Sequence, residues 1–182
     1  SLHGGTLYKL GVGGFATCGH SGVAIGLARR VLDELRSVVT AEATRPRALS
    51  NSSGNESFHE HYAACEGKLR AGRAFCFEVL SEVESMLESD RPLTTREFTL
   101  MRLALNHVTD AAAQVCAFAH KAASGTSLRS GVLQRCFRDM YSATQHQIVS
   151  NFILSECGRE LMGRASGQVW SNQGLVDAAP ES

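Results

Sequence analysis

The sequence predicts an all-α protein that folds as an antiparallel four-helix bundle. Apolar residues recur at alternating steps of three and four along several long segments, which is the period of an amphipathic α-helix. The alternation of single apolar and polar residues that is typical of a strand is absent. The connections between the segments are polar and contain proline or glycine, and helices connected in this way pack antiparallel to bury their apolar stripes.

The first helical segment runs from about Leu7 to Val39 and has two unlike halves. The second half carries apolar residues at helical spacing, namely Leu27, Val31, Leu32, Leu35, Val38 and Val39. The first half is rich in glycine, with Gly11, Gly13, Gly14, Gly19, Gly22 and Gly26. Glycine weakens a helix, but it lets a neighbouring backbone or a flat ligand approach closely. We interpret these glycines as sites of close helix packing.

A loop rich in Ser and Asn is predicted between Thr44 and Glu56. The second helix follows, and its apolar stripe consists of Tyr62, Cys65, Leu69, Gly72, Cys76, Val79, Val83 and Met86. The third helix begins at Thr94, because the segment Thr94 to Glu97 has the form of a capping box. Its stripe consists of Phe98, Met101, Leu105, Val108, Ala112, Val115 and Ala119, and it ends near Ser124 and Gly125.

The fourth helix is predicted after the loop at Ser130 and Gly131, and a shorter helix follows it to about Met162. The apolar positions of the fourth helix are Leu133, Phe137, Met140, Tyr141, Thr144 and Ile148. Residues 1–163 therefore form the helical bundle. Residues 164–182 are rich in Gly, Ser and Ala, and we expect them to be a loose tail or an arm that contacts a partner subunit.

Composition restricts the partners and the compartment. A chain of 182 residues with 43% hydrophobic residues suffices for the core of one domain. Its 18 basic and 18 acidic residues balance, so binding to nucleic acid or to an anionic membrane surface is not expected. No signal peptide and no apolar run of membrane-spanning length is evident.

The six cysteines form no CxxC pair, and several fall on apolar helix faces. They are interpreted as buried free thiols in a reducing compartment, which predicts a cytoplasmic protein. No metal site is predicted. His59 and His61 lie two residues apart and lack the i, i+4 spacing of helical zinc ligands.

Charged residues cluster on the predicted fourth helix. Arg135 and Asp139 are four residues apart, Arg138 lies beside them, and His146 follows two turns later on a similar side of a continuous helix. Such a face fits a charge pair near a ligand. A solvated Arg and Asp pair with an unrelated histidine explains the same spacing.

The segment from Ser124 to Ser150, SGTSLRSGVLQRCFRDMYSATQHQIVS, resembles the last long helix of the acyl-CoA dehydrogenase superfamily. In that family a glycine-containing turn precedes an R-x-x-R-D helix beside the flavin. The segment ECGRELMG, residues 156–163, resembles the closing helix of the family, and the order of the earlier helices agrees over nearly the whole chain. The resemblance implies the C-terminal domain of a longer flavoprotein, which would be inactive without its other domains.

The resemblance favours the two-component, group D flavin monooxygenases over the dehydrogenases. Dehydrogenases of the family usually carry Tyr-Glu-Gly-Thr after the R-D motif, with the Glu as base, whereas this chain has His146 and Gln147. Glutamine accepts no proton. A histidine is typical of the monooxygenases at this position. His146 is therefore the predicted catalytic residue, either as a base or as a hydrogen-bond partner of the flavin hydroperoxide. A buried structural histidine is the alternative.

The implied activity uses reduced flavin, FMN or FAD, supplied by a separate flavin reductase, and O2 to hydroxylate a small aromatic or heteroaromatic substrate. The family also implies a homo-oligomer, a tetramer. By the same resemblance, Ser124, Gly125, Thr126 and Arg138 are the predicted cofactor-binding residues. A helix-terminating turn and a pairing of Arg138 with Asp139 explain these residues equally well.

Two other functions compete with the monooxygenase. One is an acyl-CoA dehydrogenase-type oxidoreductase domain that takes its base from elsewhere in the chain. The other is a non-enzymatic helical oligomerisation module that has kept the bundle without the chemistry.

Overall fold

The computed structural model describes residues 5–42 and 56–179 of the chain. This part contains five α-helices: α1 Gly11–Glu42, α2 Glu56–Glu88, α3 Thr95–Ala122, α4 Val132–Ala143 and α5 Asn151–Leu161. Three short 3-10 turns lie at Thr6–Leu10, Ser124–Thr126 and Gln147–Val149. An antiparallel hairpin pairs β1 Gln168–Trp170 with β2 Leu175–Asp177. The predicted all-α helical bundle is confirmed. The loop predicted after Thr44 falls outside the described residues until α2 begins.

The chain divides into two compact units, each built from parts of four helices. The first unit comprises Ser1–Gly22, Ala74–His107 and Gln145–Ser182 and therefore contains α5 and the hairpin. The second unit comprises Val23–Arg73 and Val108–Thr144 and contains α4. The helices α1, α2 and α3 contribute segments to both units.

Neighbouring helices run antiparallel within the units. In the second unit, Arg29 of α1 pairs with Glu66 of α2 at 2.7 Å, and the Tyr62 hydroxyl reaches the Leu32 carbonyl at 3.5 Å. For α2 and α3, Gly72 lies against Val108 and the Cys76 thiol lies 3.7 Å from the Ala104 carbonyl. In both pairs the contacts ascend along one helix and descend along the other, so the helices run antiparallel.

The apolar stripes predicted from the sequence form the core. Buried members of the three long stripes are Val31, Leu32, Leu35, Cys65, Leu69, Cys76, Val79, Val83, Met101, Leu105, Val108, Ala112, Val115 and Ala119. The capping box of α3 is also present, since Glu97 Oε2 accepts from the Thr94 amide at 2.7 Å and the Thr94 hydroxyl accepts from the Arg96 amide at 3.2 Å. Five of the six cysteines are buried and Cys18 is half-buried, and all are free.

The prediction of a fourth helix that continues to Ile148 is wrong. The helix α4 ends at Ala143 because hydroxyl side chains bond to its last carbonyl groups. The Ser142 hydroxyl donates to Arg138 O at 3.0 Å and the Thr144 hydroxyl donates to Tyr141 O at 2.6 Å. His146 has extended backbone angles and begins a 3-10 turn, so it does not share a helix face with Asp139.

The segment predicted as a loose tail or a subunit-contact arm contains the hairpin, although no strand was predicted from the sequence. The description as a loose tail does not fit residues 164–179. Ser171 N donates to Gly174 O and Ala178 N donates to Gly167 O, each at 2.8 Å, so the hairpin closes at both ends. A contact with a partner subunit stays a prediction.

Helix α1 differs from the sequence expectation in two ways. The segment Tyr8–Ala41 is long and apolar enough to span a membrane by length and composition, although none was expected. Core helices pass the same criterion, and α1 buries Ala24, Ala28 and Val31. The glycines do not act together as a packing surface, since a Cβ at Gly19, Gly22 or Gly26 would meet open space, whereas one at Gly14 would lie 3.1 Å from Leu10.

Candidate functional site

A polar stripe on α3 organises the C-terminal part of the first unit. Thr95, Thr99, Arg102 and Asn106 follow one another at steps of four, three and four, which places them on one face of the helix. All four side chains take part in hydrogen bonds to segments that follow α4 in the chain. The stripe therefore fixes segments that would otherwise be connected only through the backbone.

Three members of the stripe hold the hairpin. The Thr95 hydroxyl donates to Gln168 O at 2.8 Å, and Trp170 Nε1 donates to the Thr99 hydroxyl at 2.8 Å. Arg102 Nη2 donates to Ser171 O at 2.8 Å, and its guanidinium carbon lies 4.4 Å from the centroid of the Trp170 ring. The face of the indole ring and the carbonyl together fix the plane of the guanidinium.

Asn106 positions the turn that carries His146. Its side-chain amide donates to Arg102 O at 2.9 Å and to Ile148 O at 3.3 Å. One amide group thus connects α3 to the 3-10 turn Gln147–Val149. His146 begins that turn, so its ring is held beside the Arg102 region of α3.

A cavity of about 260 Å³ opens between these elements. Its lining residues come from α1, α3, the turn after His146 and the hairpin: Val12, Gly13, Ala16, Thr17, Arg102, His146, Gln147, Ile148, Asn172 and Gln173. None of these ten residues is acidic.

His146 is exposed at this cavity, and its Nδ1 accepts a hydrogen bond from the Ile148 amide at 3.3 Å. An acceptor at Nδ1 places the proton of the neutral ring on Nε2, which makes Nε2–H a donor. The predicted alternative of a buried structural histidine is wrong, because the side chain is exposed.

His20 of α1 lies against His146, with ring centroids 4.4 Å apart and an angle of 48° between the planes. The pKa of His20 is lowered from its usual value of 6.5, first by partial burial and then by the positive charge that His146 carries when it is protonated. Protonation of the two rings is therefore linked.

The other predicted residues lie in the second unit. Arg138 shares a groove of about 370 Å³ with Ser127, Leu128, Gln134, Phe137, Tyr141 and His120. The turn Ser124–Thr126 directly precedes two of these residues. Arg138 also lies 3.5 Å from Asp139, as one of the two interpretations from the sequence predicted. Arg138 and the turn Ser124–Thr126 therefore lie in the second unit, whereas His146 lies in the first.

The turn itself differs from the expected glycine cap. Ser124, with φ of 47°, is the residue in the left-handed region after α3, and Gly125 has no positive φ. A Cβ at Gly125 would meet nothing within 4 Å. The backbone therefore does not require glycine at this position, and a non-glycine residue in the left-handed region carries a small strain.

Arg102, Asn106 and His20 are the site residues that the sequence analysis missed. The polar positions of α3 were visible as a second stripe beside the apolar one, since polar residues at steps of four and three also share a face. The contact between the His20 and His146 rings was not predictable from the sequence, because it depends on packing between segments that are distant in the chain.

Comparisons with known proteins agree with this architecture. A family model described as acyl-CoA dehydrogenase, C-terminal domain, matches residues 18–151. Indole-3-acetate monooxygenase of Pseudomonas putida is 28% identical over 158 residues, which cover 82% of this chain and 39% of that protein.

Two solved structures share the fold. The 3-HSA hydroxylase of Rhodococcus sp. RHA1 superposes with a TM-score of 0.74 at 18% identity and covers 87% of this chain and 41% of its own. The HsaA monooxygenase of M. tuberculosis gives a TM-score of 0.69 at 15% identity with the same coverage of 87% and 41%. The chain spans about two fifths of the length of these relatives.

The fold and the matched region together define the class of protein as an all-helical C-terminal domain of the acyl-CoA dehydrogenase type. Because the family model covers more than half of the chain, the chain belongs to the acyl-CoA dehydrogenase C-terminal domain family. The family expected from the segment around His146 is confirmed.

Proposed function

We propose that this chain is the C-terminal helical part of a flavin-dependent monooxygenase that hydroxylates a small aromatic or heteroaromatic substrate. The observation that carries the proposal is the placement of His146, whose imidazole offers a ring N–H donor, at a cavity without acidic residues among its lining residues. The relative at 28% identity is named as a monooxygenase of indole-3-acetate, a heteroaromatic acid, which supports the same reaction class.

His146 acts in this proposal chiefly as a hydrogen-bond donor. Because Nδ1 accepts from the Ile148 amide, Nε2–H faces an oxygen atom of a bound substrate or cofactor as a donor. For His146 to accept a proton from a phenol at Nε2, the neutral ring would have to carry its own proton on Nδ1. Nδ1 would then no longer accept the hydrogen bond from the Ile148 amide. The geometry supports stabilisation of developing negative charge on oxygen more directly than proton abstraction.

The groove at Arg138 is the proposed cofactor contact. Its aromatic faces, Phe137 and Tyr141, and its donors, Arg138 and Gln134, fit a flat heteroaromatic molecule that carries phosphate. A bound reduced flavin, FMN or FAD, supplies the electrons for the reaction with O2. The backbone of the turn Ser124–Thr126 would add amide donors beside this groove.

The remaining partners follow from the proposed class. A homotetramer, a separate flavin reductase and a cytoplasmic location belong to this proposal. Exposed apolar side chains on α1 support burial against another polypeptide, since Val12 is 78% exposed and Phe15 is 58% exposed. A non-enzymatic oligomerisation module would also use such a face, and the activity assay below separates the two.

The test uses the complete reading frame that contains this chain, identified by sequencing the coding DNA upstream of Ser1. With a flavin reductase, NADH and O2, we expect hydroxylation of an indole substrate and a reduction of kcat by about 10²- to 10³-fold in His146→Ala, which removes the donor. His107→Ala is the control, because His107 is an exposed histidine of α3 that does not line the cavity. Equal rates for His146→Ala and wild type would contradict the proposed role.

A further inference from the structure

Arg102 is unlike the other arginines that the structure describes. It is 5% exposed and is the only buried arginine in residues 5–42 and 56–179. Other partly covered arginines face carboxylates, since Arg29 pairs with Glu66 and Arg159 pairs with Glu156. No carboxylate of the described residues forms an ion pair with Arg102.

The contacts of Arg102 are neutral and incomplete. Nη2 donates to Ser171 O and the Trp170 ring covers one face, whereas Nη1 is buried without a hydrogen-bond partner among the described residues. Burial lowers the pKa of the guanidinium, because no carboxylate offsets the loss of water. An uncompensated buried cation destabilises the folded chain, and an anionic partner removes much of that cost.

The guanidinium borders the cavity at His146. A Cβ on Gly13 would lie 3.8 Å from Arg102 Nη2 and 3.7 Å from Asn172 Oδ1, so there is room for about one methyl group beside Nη2 at this position. The other polar lining groups are amides, a hydroxyl and an imidazole, none of which repels an anion. The hydrogen bonds of the α3 stripe hold Arg102 in place before any ligand binds.

The dimensions and the donor set restrict the ligand. A volume of about 260 Å³ suits a molecule smaller than a typical drug-sized ligand. The planar fork of a guanidinium matches a carboxylate, and phosphate shares that chemistry. A carboxylate is favoured over a whole flavin nucleotide because the latter exceeds the space available.

We propose that this cavity binds the carboxylate of a small aromatic acid, with Arg102 as the anion-binding residue and His146 beside the aromatic ring. The site then selects acidic aromatic substrates over neutral ones. The assignment rests on the proposed function only for the statement that the bound acid is the substrate.

The test is isothermal titration calorimetry of the 182-residue chain with three probes: indole-3-acetate, the neutral indole-3-acetamide and inorganic phosphate. We expect the acid to bind at least about tenfold more tightly than the amide, which is the effect of a charge-assisted pair. Arg102→Gln should abolish this difference, and Arg102→Lys should keep part of it.

Gly13→Ala tests the site without changing Arg102, so the proposal stays testable if the Arg102 variants do not fold. The added methyl group makes only ordinary contacts with Arg102 and Asn172 but narrows the space in front of the cation, so the acid should bind several-fold more weakly. Circular dichroism melting curves establish that each variant is folded.

Equal affinity for acid and amide, tighter binding of phosphate than of the acid, or no binding of any probe would overturn the carboxylate site. The site and the proposed function fail separately. If the protein from the complete reading frame hydroxylates neutral indole, and Arg102→Gln leaves the rate with indole relative to the rate with indole-3-acetate unchanged, the monooxygenase proposal stands and the anion site fails. If the acid binds in an Arg102-dependent way but no hydroxylation occurs, the anion site stands and the monooxygenase proposal fails.

Discussion

His20 and His146 lie with their rings 4.4 Å apart, although 126 positions separate them in the chain. The pair joins α1 to the turn that follows α4, at the edge of the cavity that Arg102 borders. A positive charge on His146 lowers the pKa of His20, because it disfavours a second charge on the neighbouring ring.

The His20 ring should titrate below 6.5, since partial burial and then the neighbouring His146 lower its pKa. His146→Gln should raise the His20 pKa part of the way towards 6.5, because burial, the larger cause, remains. The unfolded chain binds the His20 proton more tightly, so this residue makes stability fall as the pH drops through 6.5 and level off below the folded pKa. Proton NMR titration of the ring signals measures the shift, and an unchanged His20 midpoint in His146→Gln would count against the linkage.

Two glycines in different environments should respond oppositely to alanine. At Gly22 a Cβ meets open space, so Gly22→Ala should stabilise the chain by about 0.5–1 kcal/mol through the helix propensity. At Gly72 a Cβ would lie 3.1 Å from Val108 Cγ2 and 3.4 Å from its Cα, so Gly72→Ala should cost about 1–3 kcal/mol in overpacking. Urea denaturation of the 182-residue chain gives both values. A more stable Gly72→Ala would show that α2 and α3 separate without cost.

The hairpin should depend on Gly174. This residue has φ of 148°, and a Cβ would lie 2.9 Å from Phe152 Cε1, so Gly174→Ala should destabilise the hairpin by about 1–3 kcal/mol. Gly163→Ala is the matched control, because Gly163 also has a positive φ, 73°, but an open surrounding. Hydrogen exchange of the Ala178 amide, which donates to Gly167 O, should accelerate in Gly174→Ala only. If exchange of this amide accelerates equally in both variants, backbone strain alone explains the effect.

The thiols should react in an order set by burial. Burial raises the pKa of Cys116 to about 12 and that of Cys157 to about 11, so neither forms thiolate near neutral pH. Cys18 is half-buried and should be the first of the six to react with iodoacetamide. Mass spectrometry of peptides from the folded chain measures the order. Early labelling of Cys116 would indicate that the segment around α4 opens readily.

The periodicity of the sequence predicted the long helices well, because burial of one face is a local requirement. Leu69, Met101 and Leu105 are buried where the three and four spacing placed them. The end of α4 was predicted less well. The hydroxyls of Ser142 and Thr144 bond to backbone carbonyl groups near the end of the helix, and the spacing of apolar residues does not show how strong these bonds are.

The candidate site was predictable only in part. His146 was found by resemblance to a family motif, whereas Arg102 gave no signal from composition or charge balance. Its environment depends on the Trp170 ring and the Ser171 carbonyl, which reach α3 only when the hairpin folds back. Strands of three residues are too short for their alternation to be recognised in a sequence.

The hairpin makes the C-terminal segment part of the cavity wall. Asn172 and Gln173 form one wall of the cavity, and Ser171 and Trp170 hold the guanidinium that faces it. A truncation before β1, or an affinity tag that disturbs β2, would leave the long helices intact and alter the shape and charge of the cavity. If the cavity binds small acids as proposed, substitutions near residue 170 change which acids bind, without any substitution in the helical core.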